Sequence, residues 1–170
     1  MRKGRIRSFK PIAARNSRVL ILGSMPGRAS LAAGQYYAHT QNAFWKIVCG
    51  LLEIDPASPY QSRVRALRAS RIALWDVLHS CIRPGSLDSD IERETANDFV
   101  AFFRRHPGIT QVFFNGTKAE ASYRRHVLPR IGRTLRDRVI SFSRLPSTSP
   151  AHASVRFDRK LEAWRAILGG

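Results

Sequence analysis

The sequence predicts a single α/β domain of three layers, α/β/α, with a four-stranded parallel sheet at its centre. Three observations support this prediction: four short apolar segments, helical patterns between them, and a length of 170 residues that suits one domain. Segments rich in Val, Ile, Leu and Phe and bounded by polar residues or Gly are typical of parallel strands buried on both faces. The four segments are 18–23 (RVLILG), 71–77 (RIALWDV), 111–116 (QVFFNG) and 138–143 (RVISFS).

Helical patterns lie between the predicted strands and after the last one. Alternating strands and helices of this size favour a parallel sheet covered by helices on both sides. The predicted helices are 42–53, 58–69, 89–106, 117–127 and 157–168. The last of them predicts one apolar face, because its apolar residues recur every three or four positions. These residues are Phe157, Leu161, Trp164 and Leu168.

The whole chain, residues 1–170, is expected to be one domain, because it contains neither an internal repeat nor a low-complexity linker. Residues 1–16 are expected to be a basic arm: their charged start is not followed by the long apolar run of a signal peptide. No stretch approaches the ~20 apolar residues of a membrane span. We therefore expect no membrane association and a cytoplasmic location.

The charge of the chain is strongly biased. There are 29 Lys and Arg against 12 Asp and Glu, which gives a formal net charge of +17. Most of the basic residues are arginine, whose planar guanidinium binds phosphate through two N–H groups at once. An excess of this size predicts a polyanionic partner, nucleic acid above all. Basicity that serves solubility alone is the alternative, although acidic residues usually serve that purpose better.

The cysteines and histidines do not indicate a metal site. Cys49 and Cys81 lie in apolar surroundings without CxxC spacing, so we expect two buried free thiols, and an iron–sulfur cluster would require four. The HxE and CxxC pattern of a zinc deaminase is missing. Asp76 and Asp88 are not convincingly paired in the sequence, which leaves glycosidase chemistry with two carboxyl groups unsupported.

Four loops follow the predicted strands and should converge at one edge of the sheet. In open parallel sheets the ligand crevice lies beyond the carboxyl ends of the strands. The loops are GSMPG (23–27), DVLHSCIRPGS (76–86), NGTKA (115–119) and LPSTSPAHAS (145–154). A Gly-rich turn brings main-chain N–H groups close to a ligand, and a Pro-Ser loop can hold phosphates. Each is also compatible with an ordinary turn.

The segment from Tyr37 to Trp45, YAHTQNAFW, combines aromatic rings with an amide. Such a cluster fits the recognition of an unstacked base. Two structural alternatives remain open: Asn42 as a helix N-cap, and Phe44 with Trp45 as core residues. Asn115 has a similar ambiguity, because its amide matches the polar edge of a base but Asn-Gly is also a common turn.

Four motifs in register resemble those of the uracil-DNA glycosylase superfamily, most closely its hypoxanthine-DNA glycosylase branch. They are GSMPG (23–27), QYYAHTQNAFW (35–45), FNGTKA (114–119) and LPSTSPAHA (145–153). The resemblance implies an α/β/α fold around a four-stranded parallel sheet. It also implies hydrolysis of the N-glycosidic bond of a deaminated base in DNA, uracil or hypoxanthine, with no metal and no cofactor. The implied partner is DNA that contains deaminated bases or abasic sites. The protein is expected to act as a monomer.

The resemblance assigns roles in the base pocket. Met25 stands where many relatives carry an Asp or Asn that orients the attacking water. In the hypoxanthine branch the asparagine of the HxxNxFW segment takes this role, and Asn42 is the matching residue. Ser147 stands where some relatives carry a histidine that stabilises the departing base. Phe44 would stack on the base and Asn115 would read its edge. The remaining predicted base contacts are Ser24, Met25, Tyr37 and His39.

The resemblance also assigns contacts to the DNA backbone. The loop 147–154 would hold phosphates and enter the space that the flipped base leaves. Ala151 stands where some relatives carry a bulky wedge, so His152 or Arg156 would fill the gap. The predicted DNA contacts are Arg28, Lys118, Ser149, Ala151, His152 and Arg156.

Two other functions remain open. One is a weakly catalytic protein that binds deaminated or abasic DNA tightly and protects it. This function is favoured by three departures from the residues that relatives carry: Met25, Ser147 and Ala151. The other is a nucleic-acid-binding module without chemistry that uses Tyr36, Tyr37 and Phe44 as a stacking platform, which leaves the loops after the third and fourth strands unexplained.

Overall fold

The computed structural model describes residues 4–169, so the first three residues of the predicted basic arm lie outside the described part. The strands are β1 (Arg5–Arg7), β2 (Val19–Gly23), β3 (Ile72–Asp76), β4 (Leu78–Ile82), β5 (Glu92–Ala96), β6 (Gln111–Asn115) and β7 (Ser141–Leu145). The helices are α1 (Arg28–Ala33), α2 (Phe44–Leu51), α3 (Tyr60–Ala69), α4 (Phe99–Arg105), α5 (Thr117–His126), α6 (Leu128–Ile131) and α7 (Phe157–Trp164). Within residues 4–169, no helix combines the length and the apolar character needed to span a membrane.

The predicted three-layer α/β fold is confirmed. A four-stranded parallel sheet in the order β3-β2-β6-β7 forms the middle layer, with helices on both faces. All five residues of β2 are buried, and they alternate between the two faces, as the period of two in a strand requires. Leu20 and Leu22 belong to the core formed with α4, α5 and α6, whereas Val19 and Ile21 belong to the core formed with α2, α3 and α7.

A second, three-stranded antiparallel sheet, which the sequence did not predict, packs beside the helices. Its order is β1-β4-β5, and Ile6 of β1 pairs with Cys81 of β4. Further along the chain, Ile12 is buried and exchanges two backbone hydrogen bonds with Leu74 of the central sheet. Much of the segment predicted as an arm, residues 1–16, is therefore packed against the domain.

The predicted helix over 89–106 is wrong in its first half. A short 3₁₀ turn, Asp88–Asp90, leads into β5, whose backbone pairs with β4. The helix α4 begins only at Phe99, because Asp98 caps it: Oδ1 of Asp98 accepts a hydrogen bond from the Ala101 amide at 3.0 Å. The sequence has helical spacing here, but the residues of β5 form a strand because they pair with β4, and this pairing has no local signal in the sequence.

The fourth strand of the central sheet, β7, begins at Ser141, three residues later than predicted. The side chain of Arg138, at the predicted start, is bound to the end of α4 instead. Its guanidinium donates hydrogen bonds to the main-chain oxygens of Phe103, His106 and Ile109 at 3.0, 3.2 and 2.8 Å. These oxygens lie at the end of α4 and in the loop that follows, so one arginine satisfies acceptors of both the helix end and the loop.

The predicted apolar face of the last helix is only partly correct. Trp164 is fully buried, but Phe157 and Leu168 are about half exposed. The helix tightens into a 3₁₀ turn after Trp164, and this turn rotates Ile167 inward in place of Leu168. The buried charge on this helix is Lys160, whose Nζ donates to the His152 oxygen at 2.9 Å.

Both cysteines are free and buried, as the sequence predicts. Burial raises the pKa of the Cys49 and Cys81 thiols, so both remain protonated near neutral pH. Neither thiol is poised as a nucleophile.

Arg138→Lys should destabilise the protein by about 2 kcal/mol, because an ammonium group cannot span three carbonyl oxygens as a planar guanidinium does. Arg136→Lys, at an exposed position two residues earlier, is the matched control and should change stability by less than about 0.5 kcal/mol. Urea unfolding followed by circular dichroism measures both. Equal midpoints for the two variants would show that the three hydrogen bonds do not hold the end of α4.

Candidate active site

A cleft of about 930 Å³ lies at the carboxyl edge of the central sheet. It is lined by residues from the segments 23–30, 36–42, 83–91, 115–121 and 147–152, together with Asp76. The loops that the sequence placed at one edge therefore meet there. A second cavity of about 530 Å³ lies around the opposite, amino-terminal ends of the strands, and none of the described site residues predicted above lines it.

The floor of the cleft is a row of three residues at the ends of adjacent strands. Gly23 of β2 pairs with Asp76 of β3, and Asn115 of β6 follows Phe114, which pairs with Leu22. Gly23 cannot carry a side chain here, because a Cβ atom would lie 2.6 Å from Oδ1 of Asp76 and 2.8 Å from Oη of Tyr37. The missing side chain lets a carboxyl and a phenol approach each other over the backbone.

Asn115 is hydrogen-bonded through both ends of its amide. Its Oδ1 accepts from the Thr148 N–H at 3.0 Å, and its Nδ2 donates to Oγ1 of Thr148 at 2.9 Å and to Oη of Tyr37 at 3.0 Å. An amide has two N–H donors, so both are already used. In this arrangement only one lone pair of Oδ1 is left for a ligand. Asn115, which the sequence predicts to recognise the edge of the base, thus forms most of its side-chain hydrogen bonds within the protein.

Thr148 joins three segments of the site. Besides its two bonds to Asn115, its main-chain oxygen accepts from the Ala43 N–H at 3.0 Å, one residue before α2. Gly116 permits this proximity: its φ is +89°, and a Cβ there would lie 3.0 Å from the Cβ of Ser147. Thr148 is fully buried, and the sequence analysis missed it. The only sequence signal was its place among the hydroxyl residues of the Pro-Ser loop.

Tyr37 covers the ring predicted to stack on the base. The rings of Tyr37 and Phe44 are nearly parallel, with centroids 4.0 Å apart. Phe44 is fully buried and also meets Trp45 and Trp164 edge-on at 5.0 and 5.8 Å. Tyr37 adopts a φ of +53°, which is uncommon for a residue with a side chain. Phe44 thus offers no face to a ligand here, and Tyr37 lies between it and the cleft.

Asn42 and His39 form a tight turn on the wall of the cleft. The Asn42 N–H donates to the His39 oxygen at 2.9 Å, and Oδ1 of Asn42 accepts from the Phe44 N–H at 3.0 Å. Helix α2 therefore has Ala43 rather than Asn42 at its N-cap, one residue later than predicted. Oδ1 of Asn42 keeps a second lone pair, and its NH₂ group adds two donors.

The loops after β2 and β4 are tied together on the far wall. Oγ of Ser24 donates to Oδ1 of Asp88 at 2.7 Å, and Nη2 of Arg83 donates to the Pro26 oxygen at 2.7 Å. Arg28 reaches across to the Pro84 oxygen at 3.1 Å. These bonds hold the GSMPG turn against the cleft, where Ser24 and Met25 are both buried.

Asp76 is a buried carboxyl that the sequence analysis left without a role. It is 3% exposed, and among the described residues its Oδ2 has no hydrogen-bond partner. The pKa of Asp76 is raised to about 7, mainly by burial and also by the negative charge of Asp88, while Arg83 acts in the opposite direction. Asp76 and Asp88, which are not convincingly paired in the sequence, line the same cleft.

Most of the predicted DNA contacts line the mouth of the cleft. Arg28, Lys118, Ser149, Ala151 and His152 all contribute to it. The ammonium of Lys118 pairs with Glu94, a mostly buried carboxylate that also contacts Nε2 of His126 at 2.7 Å.

Arg156 lies apart from the other predicted contacts. It precedes α7, is exposed, pairs with Asp158 at 3.3 Å, and is not among the described residues that line the cleft. Within residues 4–169, no group of three or more His, Cys, Asp and Glu side chains is placed to hold a metal ion.

Comparison with known proteins agrees with this geometry. The sequence profile of the uracil DNA glycosylase superfamily matches residues 9–168. The hypoxanthine DNA glycosylase of Methanosarcina barkeri is 38% identical over 112 residues, 65% of this chain and 71% of that protein. The hypoxanthine DNA glycosylase of Methanosarcina acetivorans is 37% identical over 114 residues, 66% of this chain and 72% of that protein.

A solved structure is similar over almost the whole chain. The solution NMR structure of a candidate uracil DNA glycosylase from Methanosarcina acetivorans has a TM-score of 0.80 and 31% identity, and 97% of each chain is covered. The profile match spans nearly the whole sequence and includes every loop that lines the cleft. The chain therefore belongs to the uracil DNA glycosylase superfamily.

Proposed function

We propose that the protein is a monofunctional DNA glycosylase that hydrolyses the N-glycosidic bond of deaminated bases, hypoxanthine and also uracil, and so initiates base excision repair. The observation that carries the proposal is the cleft itself. It brings Asn42, the Tyr37–Phe44 stack and the Ser147–His152 loop to one edge of the sheet. The choice of hypoxanthine as a substrate is supported by the two relatives that are named hypoxanthine DNA glycosylase.

Double-stranded DNA fits the charge and the shape of the site. The net charge of +17 favours a polyanion, and Arg28 and His152 stand at the mouth of the cleft. A base stacked inside a duplex cannot enter a cleft in the protein, so the nucleotide must flip out. Flipping costs about a few kcal/mol and least for a mispaired base, which favours bases produced by deamination.

In the proposed complex the flipped base stacks on Tyr37. One face of this ring is covered by Phe44, so a base can approach only the other face. Asn115 keeps Tyr37 in place through the hydrogen bond to Oη, and its remaining Oδ1 lone pair can accept from a ring N–H of the base. The main chain at Ser24 and Met25 adds contacts to a base carbonyl.

Asn42 positions the attacking water. Its side chain is too weak a base to remove a proton early, but the free lone pair of Oδ1 can align a water with the anomeric carbon. As the C1′–N bond breaks, positive charge develops on the sugar and negative charge on the base. Donors fixed around the base, including the hydroxyl of Ser147, stabilise that negative charge.

The Ser147–His152 loop would hold the flanking phosphates. Its shape is set by bonds within the loop: Oγ of Ser147 accepts from the Ser149 N–H at 3.2 Å, and Oγ of Ser149 accepts from the Ala151 N–H at 3.3 Å. Lys160 steadies the far end through the His152 oxygen. Ala151 and His152 are exposed there and are placed to enter the gap in the duplex, with Arg156 and Lys118 as outer contacts.

A protein that binds lesions tightly and cleaves them slowly is the second candidate. One observation favours slow cleavage: the N–H groups of Asn115 are already bound to Tyr37 and Thr148, so they are not free to stabilise the negative charge of a departing base. Slow release of abasic DNA after a single turnover distinguishes this candidate from an efficient glycosylase.

Asn42→Ala should lower single-turnover excision roughly 100-fold or more, because the water is no longer held in line with the anomeric carbon. The assay uses end-labelled duplexes with hypoxanthine, xanthine, uracil or thymine opposite a fixed partner, and alkali reveals abasic sites. Gln41→Ala, at the exposed neighbouring position, is the control and should excise like the wild type. Near-wild-type excision by Asn42→Ala would remove this residue from the mechanism.

Thr148→Val should destabilise the fold by about 1–3 kcal/mol, because an N–H of Asn115 loses its acceptor inside the protein. Excision should fall about tenfold or more, since Asn115 is then held by one hydrogen bond fewer and orients Tyr37 less firmly. Thr148→Ser keeps the hydroxyl and should retain most of both properties. Urea unfolding and single-turnover excision measure the pair; if valine and serine behave alike, the hydroxyl has no such role.

A further inference from the structure

The cleft contains a carboxyl group that the proposed mechanism has not used. Asp76 ends β3, is almost completely buried and lines the cleft. Its main-chain oxygen accepts from Nδ2 of Asn97 at 2.8 Å, which fixes its backbone. Its Oδ1 and Oη of Tyr37 both lie within 3 Å of the place that a Cβ of Gly23 would take, and among residues 4–169 its Oδ2 has no partner. A buried polar atom without a partner is costly, so this one calls for an explanation.

Of the groups around Asp76, Asp88 favours its neutral form and Arg83 opposes it. Asp88 approaches from the 3₁₀ turn, Tyr36 and Tyr37 from the loop before α2, and Arg83 from the loop after β4. His39 and Lys118 also line the cleft. Arg83 is the cation that acts on Asp76, yet it donates to the Pro26 oxygen, and in the described part of the chain no ion pair joins it to Asp76.

The ionised carboxylate is therefore disfavoured. Burial is the main cause that raises the pKa of Asp76 to about 7, and the charge of Asp88 adds to it. A base that fills the cleft expels water and raises the pKa of this carboxyl further. At neutral pH a substantial fraction of the protein thus carries a carboxylic acid beside the position proposed for the base.

We propose that Asp76 is a catalytic acid, which donates its carboxyl proton to the departing purine. The inference rests on the proposed glycosylase function and extends it to the choice of base. Hypoxanthine presents N7 and O6 acceptors like those of guanine, so an O–H group can bind it and a carboxylate repels it. Uracil lacks the imidazole ring nitrogens of a purine, so the acid assists it less.

The proton and electron balance is complete with water as the only co-reactant. The C1′–N9 bond breaks and its electron pair moves into the purine, which takes the proton from Asp76 as it leaves. The water aligned by Asn42 forms the new C1′–O bond and releases a proton to solvent. Asp76 is then reprotonated from solvent, and the products are neutral hypoxanthine and an abasic sugar.

The test is the pH dependence of single-turnover excision from a hypoxanthine duplex, between pH 5.5 and 9 with saturating protein. For the wild type we expect a rate that is constant below the pKa of Asp76 and falls about tenfold per pH unit above it. Asp76→Asn keeps a neutral donor of the same shape but cannot ionise. It should be about 100-fold slower at pH 6 and should show no falling limb.

Two comparisons sharpen the test. Asp88→Asn removes the negative charge that raises the pKa of Asp76, so the falling limb should move to lower pH. A uracil duplex should lose less activity than a hypoxanthine duplex when Asp76 is replaced by Asn. A falling limb that persists in Asp76→Asn, or a wild-type rate that rises with pH, would overturn the acid role while leaving the glycosylase function intact.

Stability supplies a readout independent of excision. Because the pKa of Asp76 is higher in the folded than in the unfolded chain, the folded state binds more protons between about pH 4 and 7. The contribution of Asp76 to stability should therefore fall as pH rises through this range, and Asp76→Asn should remove that contribution. An identical pH dependence of the urea midpoint in both proteins would show that Asp76 is not held neutral. Absence of excision by the wild type at every pH would overturn the proposed function itself.

Discussion

The site depends on one pair of residues, Asn115 and Thr148, which exchange two hydrogen bonds at the ends of β6 and β7. This pair attaches the loop after β7 to the end of β6. The main-chain oxygen of Thr148 attaches the same loop to the start of α2. The second N–H of Asn115 orients Tyr37, which in turn covers Phe44. A single, partly buried amide thus sets the positions of the phosphate loop, the aromatic stack and the water-holding turn.

The cleft combines basic residues with two carboxyl groups, although acidic residues are scarce in the protein as a whole. The surface is strongly basic, which suits a DNA backbone, but two of only 12 acidic residues, Asp76 and Asp88, line the cleft. Gly23 makes this possible by leaving room for the Asp76 carboxyl above the backbone. In this account the basic residues at the mouth of the cleft attract the DNA backbone, and the groups at its floor act on the base.

The three-layer fold and the edge that carries the site follow from sequence patterns, because buried strands and the loops after them have local signals. The small second sheet had no such signal, since β1, β4 and β5 are joined by pairing between distant segments. The burial of Phe44 under Tyr37 and the closeness of Asp76 to Asp88 were equally invisible. Each depends on side-chain orientations that only the assembled loops define.

The most direct measurement is the release of free base by the wild-type protein from a hypoxanthine duplex, in EDTA and in excess over DNA. The account predicts one free hypoxanthine for each alkali-sensitive site formed, with faster release from hypoxanthine than from thymine duplexes. Retained tight binding to the hypoxanthine duplex without any free base would contradict it. The cleft would then be a site that recognises damaged DNA and does not cut the glycosidic bond.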